Sequence, residues 1–368
     1  MKIAHVVASL PPDIGGMGRV AYDEASELVK RGHQVTVFTL AYFPYEYKDE
    51  KFPFKVVRAK PLVRSGIAGL VPELRQSFHD FDLVHLHYPF YGGAEWVWLS
   101  GRPYVVTYHM DASPTLKHRQ LVKNVYDRLF AKRIMQKSKR VILVDERHYL
   151  AERKFIFPDQ SIVIHNGINT EIFKPQTVNL HDLGLGGLEN KKIFMFVGNL
   201  LPIKGLSKLL KAWHKFNRDD AHLAIVGGGY HEHEYRAEAE NLKIKNITWL
   251  GACHDPEKMA KFYAAAFAVV IPSISESFSL VATEAMACET PVVSSNLPGM
   301  HEKIIDGETG YVFETGNEVD LEKSLKKIIS VSHEEKKKMG EKGRKLVLDK
   351  FSMQGHMDRL EEVYKEAV

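Results

Sequence analysis

Two glutamates eight positions apart, Glu276 and Glu284, carry the strongest chemical signal in the sequence. They lie in the run Ser273-Ile274-Ser275-Glu276-Ser277-Phe278-Ser279-Leu280-Val281-Ala282-Thr283-Glu284-Ala285-Met286-Ala287. A polar loop with a carboxylate leads directly into a helical pattern, which Ser277 or Ser279 can cap. The N–H groups of Phe278, Ser279 and Leu280 then lack intrahelical partners and suit an anion such as a diphosphate. Glu284 falls little more than a turn inside the helix, so both carboxylates can reach one extended ligand. Carboxylates accept hydrogen bonds from vicinal hydroxyls, as an acidic residue of dinucleotide folds does from a ribose. The same run also reads as two unrelated surface glutamates on a capped helix.

Three loops that follow strand patterns add candidates. In Pro11-Pro12-Asp13-Ile14-Gly15-Gly16-Met17-Gly18-Arg19, Gly15 and Gly16 let backbone approach a ligand at the start of a helix. Gly227, in Val226-Gly227-Gly228-Gly229-Tyr230-His231-Glu232, serves a ligand or a tight strand-to-helix turn. A dinucleotide fingerprint from Gly227 would need glycine where Glu232 stands, which disfavours an oxidoreductase. In Val197-Gly198-Asn199-Leu200-Leu201-Pro202-Ile203-Lys204, Lys204 can neutralise a phosphate as a point charge, or simply be exposed at a helix start. His109 ends the run Val105-Val106-Thr107-Tyr108, where a neutral imidazole can donate to a sugar hydroxyl or phosphate. Lys117 to Arg140 holds nine basic residues against Asp127 alone, with Leu121, Val122, Val125, Leu129 and Phe130 as an apolar stripe. Such a helix either lies on an anionic membrane or packs on a core with its charges in water.

Strand and helix patterns alternate throughout and would position these residues. Short apolar runs at Ile3–Ala8, Val35–Leu40, Leu83–Leu86, Tyr104–Tyr108, Val141–Val144 and Ile162–Ile164 predict parallel strands buried on both faces. A second set falls at Ile193–Val197, Leu223–Val226, Ile247–Leu250, Ala268–Ile271 and Pro291–Ser294. Helical patterns separate them, at Gly18–Lys30 in the first set and at Leu206–Phe216, Tyr230–Leu242, Pro256–Ala266 and Ser279–Ala287 in the second. The reading is α/β: two doubly wound parallel sheets facing a cleft, with a linker at Thr170–Lys192 and an amphipathic helix at Ser352–Val368. The expected domains are residues 1–170 with 352–368, and 171–351.

The chain has 368 residues, enough for two cores, with 45% hydrophobic and 26% charged residues, which excludes a disordered or collagen-like chain. A net charge of +4 argues against a general nucleic-acid binder. Two cysteines exclude a disulfide framework and a cysteine zinc ribbon, and suit a reducing compartment. Met1–Leu10 reads as a buried strand rather than a leader because His5 and Ser9 interrupt it, and no apolar run reaches membrane-spanning length.

Taken in order, these motifs resemble glycosyltransferase family 4, the retaining transferases of GT-B fold, over essentially the whole chain. The resemblance rests on Glu276 through Glu284, Glu284-Ala285-Met286-Ala287, Pro291-Val292-Val293, Glu302, Asp306-Gly307, Thr309-Gly310-Tyr311 and Asn166-Gly167-Ile168-Asn169. It implies two Rossmann-like domains, an acceptor-side one first and a donor-binding one second, with the last helix returning to the first. It implies that Glu276 and His109 face the donor sugar, that Glu284 takes the ribose, and that Gly16 and Lys204 contact the diphosphate. Gly15, Asn199, Gly227, Ser277, Phe278, Ser279 and Leu280 would complete the donor site. The chain departs from the family at Asn199, where arginine is usual, at Asn169, where aspartate is common, and at Ser279 and Glu289, where glycine is usual.

The implied reaction moves a hexose from a UDP- or GDP-sugar to a hydroxyl of a glycan or lipid-linked acceptor, with retention, no cofactor and no obligatory metal. The implied setting is polysaccharide biosynthesis in the cytoplasm, peripheral to an anionic membrane. A nucleotide-sugar binding protein without transfer activity and a non-hydrolysing nucleotide-sugar epimerase are the alternatives.

Overall fold

The computed structural model describes residues 1–11, 15–41, 51–65, 68–110, 117–147, 157 and 159–368. Pro12, Asp13 and Ile14 of the first glycine loop lie outside them. The chain forms two compact units, Met1–Asn166 with Gln354–Val368, and Gly167–Met353.

Unit 1 is built on seven strands: β1 Lys2–Val6, β2 Gln34–Leu40, β3 Lys55–Ala59, β6 Leu83–Tyr88, β7 Tyr104–Tyr108, β8 Arg140–Leu143 and β9 Ser161–Val163. All pair in parallel, in the order β3-β2-β1-β6-β7-β8-β9. Arg64–Ser65 (β4) and Ala68–Gly69 (β5) form a separate small antiparallel pair. One face of the main sheet is apolar, with Val6, Phe38, Leu86, Val106 and Val141 under helices Ala94–Leu99 and Lys132–Lys137. The last helix, Met353–Ala367, buries Met357, Leu360, Val363 and Tyr364. Ion pairs from Arg31 to Asp358 and Glu361, at 2.6 and 2.7 Å, tie it to helix Gly16–Lys30.

Unit 2 repeats the plan with six strands: β10 Lys192–Val197, β11 Ala221–Val226, β12 Ile247–Gly251, β13 Ala268–Ile271, β14 Val292–Ser295 and β15 Gly310–Phe313. They run parallel in the order β12-β11-β10-β13-β14-β15. In each sheet the strand order reverses beside the first strand, between β1 and β6 and between β10 and β13, the place where open α/β sheets bind ligands. The two doubly wound parallel sheets expected from the sequence are therefore present.

Some expectations change. Thr170–Lys192 is not a loose linker: Phe173, Leu183 and Leu185 are buried, and Leu180–Leu183 is a 3-10 turn within unit 2. The sequence reading missed β3, an edge strand reading Lys-Val-Val-Arg-Ala, and β15, in which Gly310 packs so that an added Cβ would lie 1.9 Å from the Val292 carbonyl oxygen. It also missed helices Glu318–Ser330 and His333–Lys350; the first is capped by Asn317, the second by the Ser332–Glu335 capping box.

The two positions where the family has glycine show why it does. Ser279 has φ 62° and Glu289 φ 59°, the left-handed region that costs an L-residue about 1–2 kcal/mol. Asn169, by contrast, does what aspartate would, its Oδ1 accepting from the N–H groups of Glu171 and Ile172 at 3.1 and 3.3 Å. Glu289→Gly should therefore raise stability by up to about 1 kcal/mol, the relief of backbone strain exceeding the entropy that glycine adds to the unfolded chain. Urea unfolding with an unchanged m-value checks it, and a fall in midpoint would contradict it.

Candidate functional site

The loops leaving β10 and β13, the two strands at the switch point of unit 2, bring Lys204 and Glu276 together. Lys204 Nζ lies 2.6 Å from Glu276 Oε1, and Ser273 Oγ donates to the same oxygen at 2.8 Å. Lys204 is thus paired, not a lone cation at a helix start. Glu276 is held by a charge and a hydroxyl, so its second oxygen is left to other partners. The pair is partly open, with Lys204 more exposed than Glu276.

Backbone packing fixes these loops. A Cβ on Gly205 would lie 1.9 Å from the Pro272 carbonyl oxygen, one on Gly227 2.0 Å from that of Gly198, and one on Gly299 2.3 Å from that of Ser277. Only glycine allows such approaches. The Ile274 N–H donates to the Ile203 carbonyl at 2.8 Å, which ties the Lys204 loop to the Glu276 loop directly. Gly227 thus serves the turn reading through its contact with Gly198, and Asn199 follows Gly198 on the β10 loop.

The helix after the loop spans Leu280–Ala287, with Glu284 in its second turn. Glu284 Oε2 accepts from the Tyr263 hydroxyl at 2.8 Å, a partner the sequence did not suggest. Ser279 does occupy the N-cap position, but its left-handed backbone gives no side-chain cap, and its hydroxyl finds no hydrogen-bond partner among the described residues. The expected serine cap is absent there because the cap geometry needs an extended backbone.

Phe278 is buried beneath Lys303, whose Nζ sits 4.0 Å from the ring centroid and donates to the Gly299 carbonyl at 2.8 Å. Lys303 is fully buried and also lies 5.3 Å from the Phe351 ring. A buried cation over an aromatic ring pins the segment that carries Ser277 and Ser279. Nothing in the sequence pattern marks Lys303; its neighbours are met only in three dimensions.

In unit 1, His109 follows β7 at the carboxyl end of the sheet and is buried. Its Nε2 pairs with His87 Nδ1 at 2.9 Å, and His87 Nε2 pairs with His5 Nδ1 at 3.0 Å. Burial pushes the His5 and His109 imidazoles down to about 3. It likewise holds His85 and His87 well below the ordinary range, with repulsion from the other histidines adding to it. The expected neutral imidazole at His109 follows from this. Gly15 and Gly16 open helix Gly16–Lys30 after the β1 loop, in the same position relative to their sheet that the Lys204 loop has in unit 2.

A family model for glycosyltransferase family 4 matches residues 14–172, and one for glycosyl transferases group 1 matches residues 185–346, so both halves of the chain are covered. The chain belongs to glycosyltransferase family 4. It is 28% identical to an uncharacterized glycosyltransferase of Methanocaldococcus jannaschii, over 96% of this chain and 95% of that one. It is 26% identical to the D-inositol 3-phosphate glycosyltransferase of Corynebacterium aurimucosum, over 100% and 96%. Its fold is GT-B. The Anabaena HepE structure in complex with UDP-glucose superposes with a TM-score of 0.82 at 20% identity, covering 99% of each chain.

The Lys204–Glu276 pair is testable as geometry. In a double-mutant cycle on stability, Lys204→Met and Glu276→Gln should show a coupling on the order of 1 kcal/mol, as expected for a short, partly exposed ion pair. Additive effects in urea unfolding would mean that the contact does not form in solution.

Proposed function

We propose that this family 4 glycosyltransferase transfers a hexose from a UDP- or GDP-sugar to a hydroxyl of a glycan or lipid-linked acceptor, with retention of anomeric configuration. The observation that carries the reading is the 2.6 Å Lys204–Glu276 pair at the switch point of unit 2, beside the start of the helix that holds Glu284. A donor diphosphate brings negative charge to a place that offers a lysine, loop N–H groups and a helix N-terminus. In this reading Lys204 stabilises the leaving diphosphate, Glu276 accepts from donor-sugar hydroxyls and Glu284 accepts from the ribose. Gly227, Asn199, Ser277, Phe278, Ser279 and Leu280 supply backbone contacts around the nucleotide diphosphate. Gly15 and Gly16 are assigned to the diphosphate and His109 to the donor sugar, by resemblance to the family. The acceptor hydroxyl attacks on the face the diphosphate leaves and passes its proton to the departing phosphate. The step needs no obligatory metal, because Lys204 and the N–H groups carry the charge.

HepE's bound UDP-glucose makes UDP-sugars the first donors to try. The Corynebacterium relative's name makes an inositol phosphate one arm of the acceptor panel, beside lipid-linked glycans.

The setting we propose is the cytoplasmic side of a membrane. No described helix is long and apolar enough to cross a bilayer. The basic segment is instead helical over Lys117–Tyr126 and Lys132–Lys137, with a π-helical turn at Asp127–Ala131 between them. Leu121, Val125, Leu129 and Phe130 are exposed on it, Leu121 at 67%, and Arg128, Lys132 and Arg133 are exposed beside them. The segment packs on the core through Ala131, Ile134 and Met135, and its other side displays apolar residues among cations, the composition of a membrane-surface helix.

Two experiments test this. A thermal-shift screen of UDP-, GDP- and ADP-sugars should reveal a donor that stabilises by about 2.7 kcal/mol at a hundred times its Kd. With that donor, Glu276→Gln and Lys204→Ala should each lower turnover by about 10²-fold or more in folded protein. Near-normal turnover in both would refute the assignment, and donor binding without any acceptor product would favour the non-transferring alternative. The wild-type protein should float with anionic but not zwitterionic vesicles at low salt, and Leu121→Asp with Leu129→Asp should abolish flotation. Equal flotation of the variant would remove the membrane reading.

A further inference from the structure

The sheet face of unit 1 that packs against helices Gly16–Lys30 and Met353–Ala367 is polar inside. His5 on β1 is in register with His85 on β6, and His87 follows two residues on, so all three rings leave the same face. Glu24, from helix Gly16–Lys30, points at them. Its Oε2 lies 3.6 Å from His85 Nδ1 and 3.7 Å from His87 Nε2, and it has no hydrogen-bond donor among the described residues. One coordinating atom from each of the four residues lies within 4.8 Å of every other, and all four residues are buried.

Burying three imidazoles and a carboxylate is costly unless they are paired or hold a metal. The outer atoms are paired. His87 Nδ1 meets His109 Nε2 at 2.9 Å, His5 Nε2 meets the Tyr364 hydroxyl at 3.3 Å, and His85 Nε2 meets Thr107 Oγ1 at 2.6 Å. His356 Nε2 holds Glu24 Oε1 at 3.1 Å, while its Nδ1–H donates to the His165 carbonyl at 2.7 Å. These are the contacts that orient ligand rings and carboxylates from outside a metal's own shell. On the inward side His5 Nδ1 and His87 Nε2 share one proton at 3.0 Å and His85 Nδ1 meets the Tyr364 hydroxyl, while Glu24 Oε2 has no donor among the described residues.

We propose that His5, His85, His87 and Glu24 form a buried site for one divalent transition-metal ion of the zinc class. A tetrahedral ion with bonds of about 2.0–2.1 Å sets its ligand atoms about 3.3 Å apart. The separations of 3.0 Å (His5 Nδ1 to His87 Nε2), 3.6 Å and 3.7 Å bracket that value. Three imidazoles and one carboxylate are a donor set that suits zinc, cobalt and nickel rather than magnesium or calcium.

Proton placement allows it. The single proton between His5 Nδ1 and His87 Nε2 must leave the inward side when both nitrogens ligate. It moves to the outer nitrogen of its ring, which then donates to the Tyr364 hydroxyl or to His109 Nε2. Glu24 binds as the carboxylate, and the ion's charge compensates its burial. His85 Nδ1 now shares the Tyr364 hydroxyl at 2.6 Å, so that hydroxyl must turn away for the fourth bond. A metal on His87 Nε2 has a consequence for His109. The His87 proton is then fixed on Nδ1 and donates to His109 Nε2, which places the His109 proton on Nδ1. The ion thereby acts on His109 as a positioning device through His87, apart from any role for metal at the donor diphosphate.

The site is closed to solvent, so metal must enter while the chain folds. The test uses untagged full-length protein grown with added zinc or cobalt and purified without chelator. We expect about one metal per chain by elemental analysis, a cobalt spectrum of four-coordinate intensity, and zinc X-ray absorption fitting three imidazoles and one oxygen at about 2.0–2.1 Å. Glu24→Gln and His87→Gln, where folded by circular dichroism, should lose the metal. Wild-type protein with well under one metal per chain after both growth and refolding with the ion would overturn the proposal. So would a six-coordinate, oxygen-rich spectrum in the wild type, or undiminished metal in the folded variants.

Discussion

Unit 2 of this chain depends on backbone packing against backbone at the carboxyl ends of β10, β11 and β13. Gly205 against Pro272, Gly227 against Gly198 and Gly299 against Ser277 leave no room for a Cβ. These contacts place Lys204 and Glu276 on loops that would otherwise be free, and they explain how two exposed-looking residues end 2.6 Å apart from 72 positions away. A side chain at any of the three would have to push a carbonyl, not another side chain, so the cost falls on loop position. That is why glycine here is a condition of the Lys204–Glu276 pairing as well as of the turn.

Unit 1 solves a different problem on the same sheet plan. One face of its sheet is hydrocarbon, and the other carries His5, His85, His87 and Thr107, each bonded to another polar group. Low dielectric makes every such bond stronger and every missing one more expensive. The network therefore ties β1, β6 and β7 to the helix that ends the chain through Tyr364, and specifies their mutual register more sharply than apolar packing would. His109 sits at the end of this network, so its orientation is inherited from residues deep in the core.

Much of this was legible in the sequence, and the failures have identifiable causes. The central strands announced themselves as short apolar runs because both faces are covered, and Tyr104–Tyr108 and Ala268–Ile271 match residue for residue. The edge strand β3 did not, since one side of an edge has no strand neighbour and tolerates Lys55 and Arg58. The histidine face was legible in principle. His85 and His87, and Thr107 and His109, alternate with apolar residues at the period of a strand, but runs read as uniformly apolar hide such alternation. In unit 2, the Glu276–Glu284 spacing falls on one loop and on the helix that follows it, as read. Spacing cannot show that Lys204 pairs with Glu276, that Tyr263 takes Glu284, or that Lys303 lies over Phe278, because these are contacts between distant segments. The serine cap failed for a local reason: the rule knows residue type, while the φ of Ser279 is imposed by the loop that Phe278 and Lys303 anchor.

Ser279 carries backbone strain at the very start of the helix whose N–H groups would meet a diphosphate, and a position that tolerates glycine better keeps a residue that costs more. Strain of this kind persists only where surrounding contacts over-determine the geometry. Here those contacts are named: the Phe278 ring fixed beneath Lys303, the Gly299 backbone pressed on Ser277, and Thr283 Oγ1 bonded back to the Ser279 and Leu280 carbonyls at 3.3 and 3.0 Å. The same contacts hold Glu276 toward Lys204. A lysine already paired with a carboxylate is oriented before any ligand arrives, and its ammonium keeps donors in excess of the one that Glu276 takes. A diphosphate can then be met without first removing Lys204 from Glu276, so cation and carboxylate can act on adjoining parts of one ligand at the same time.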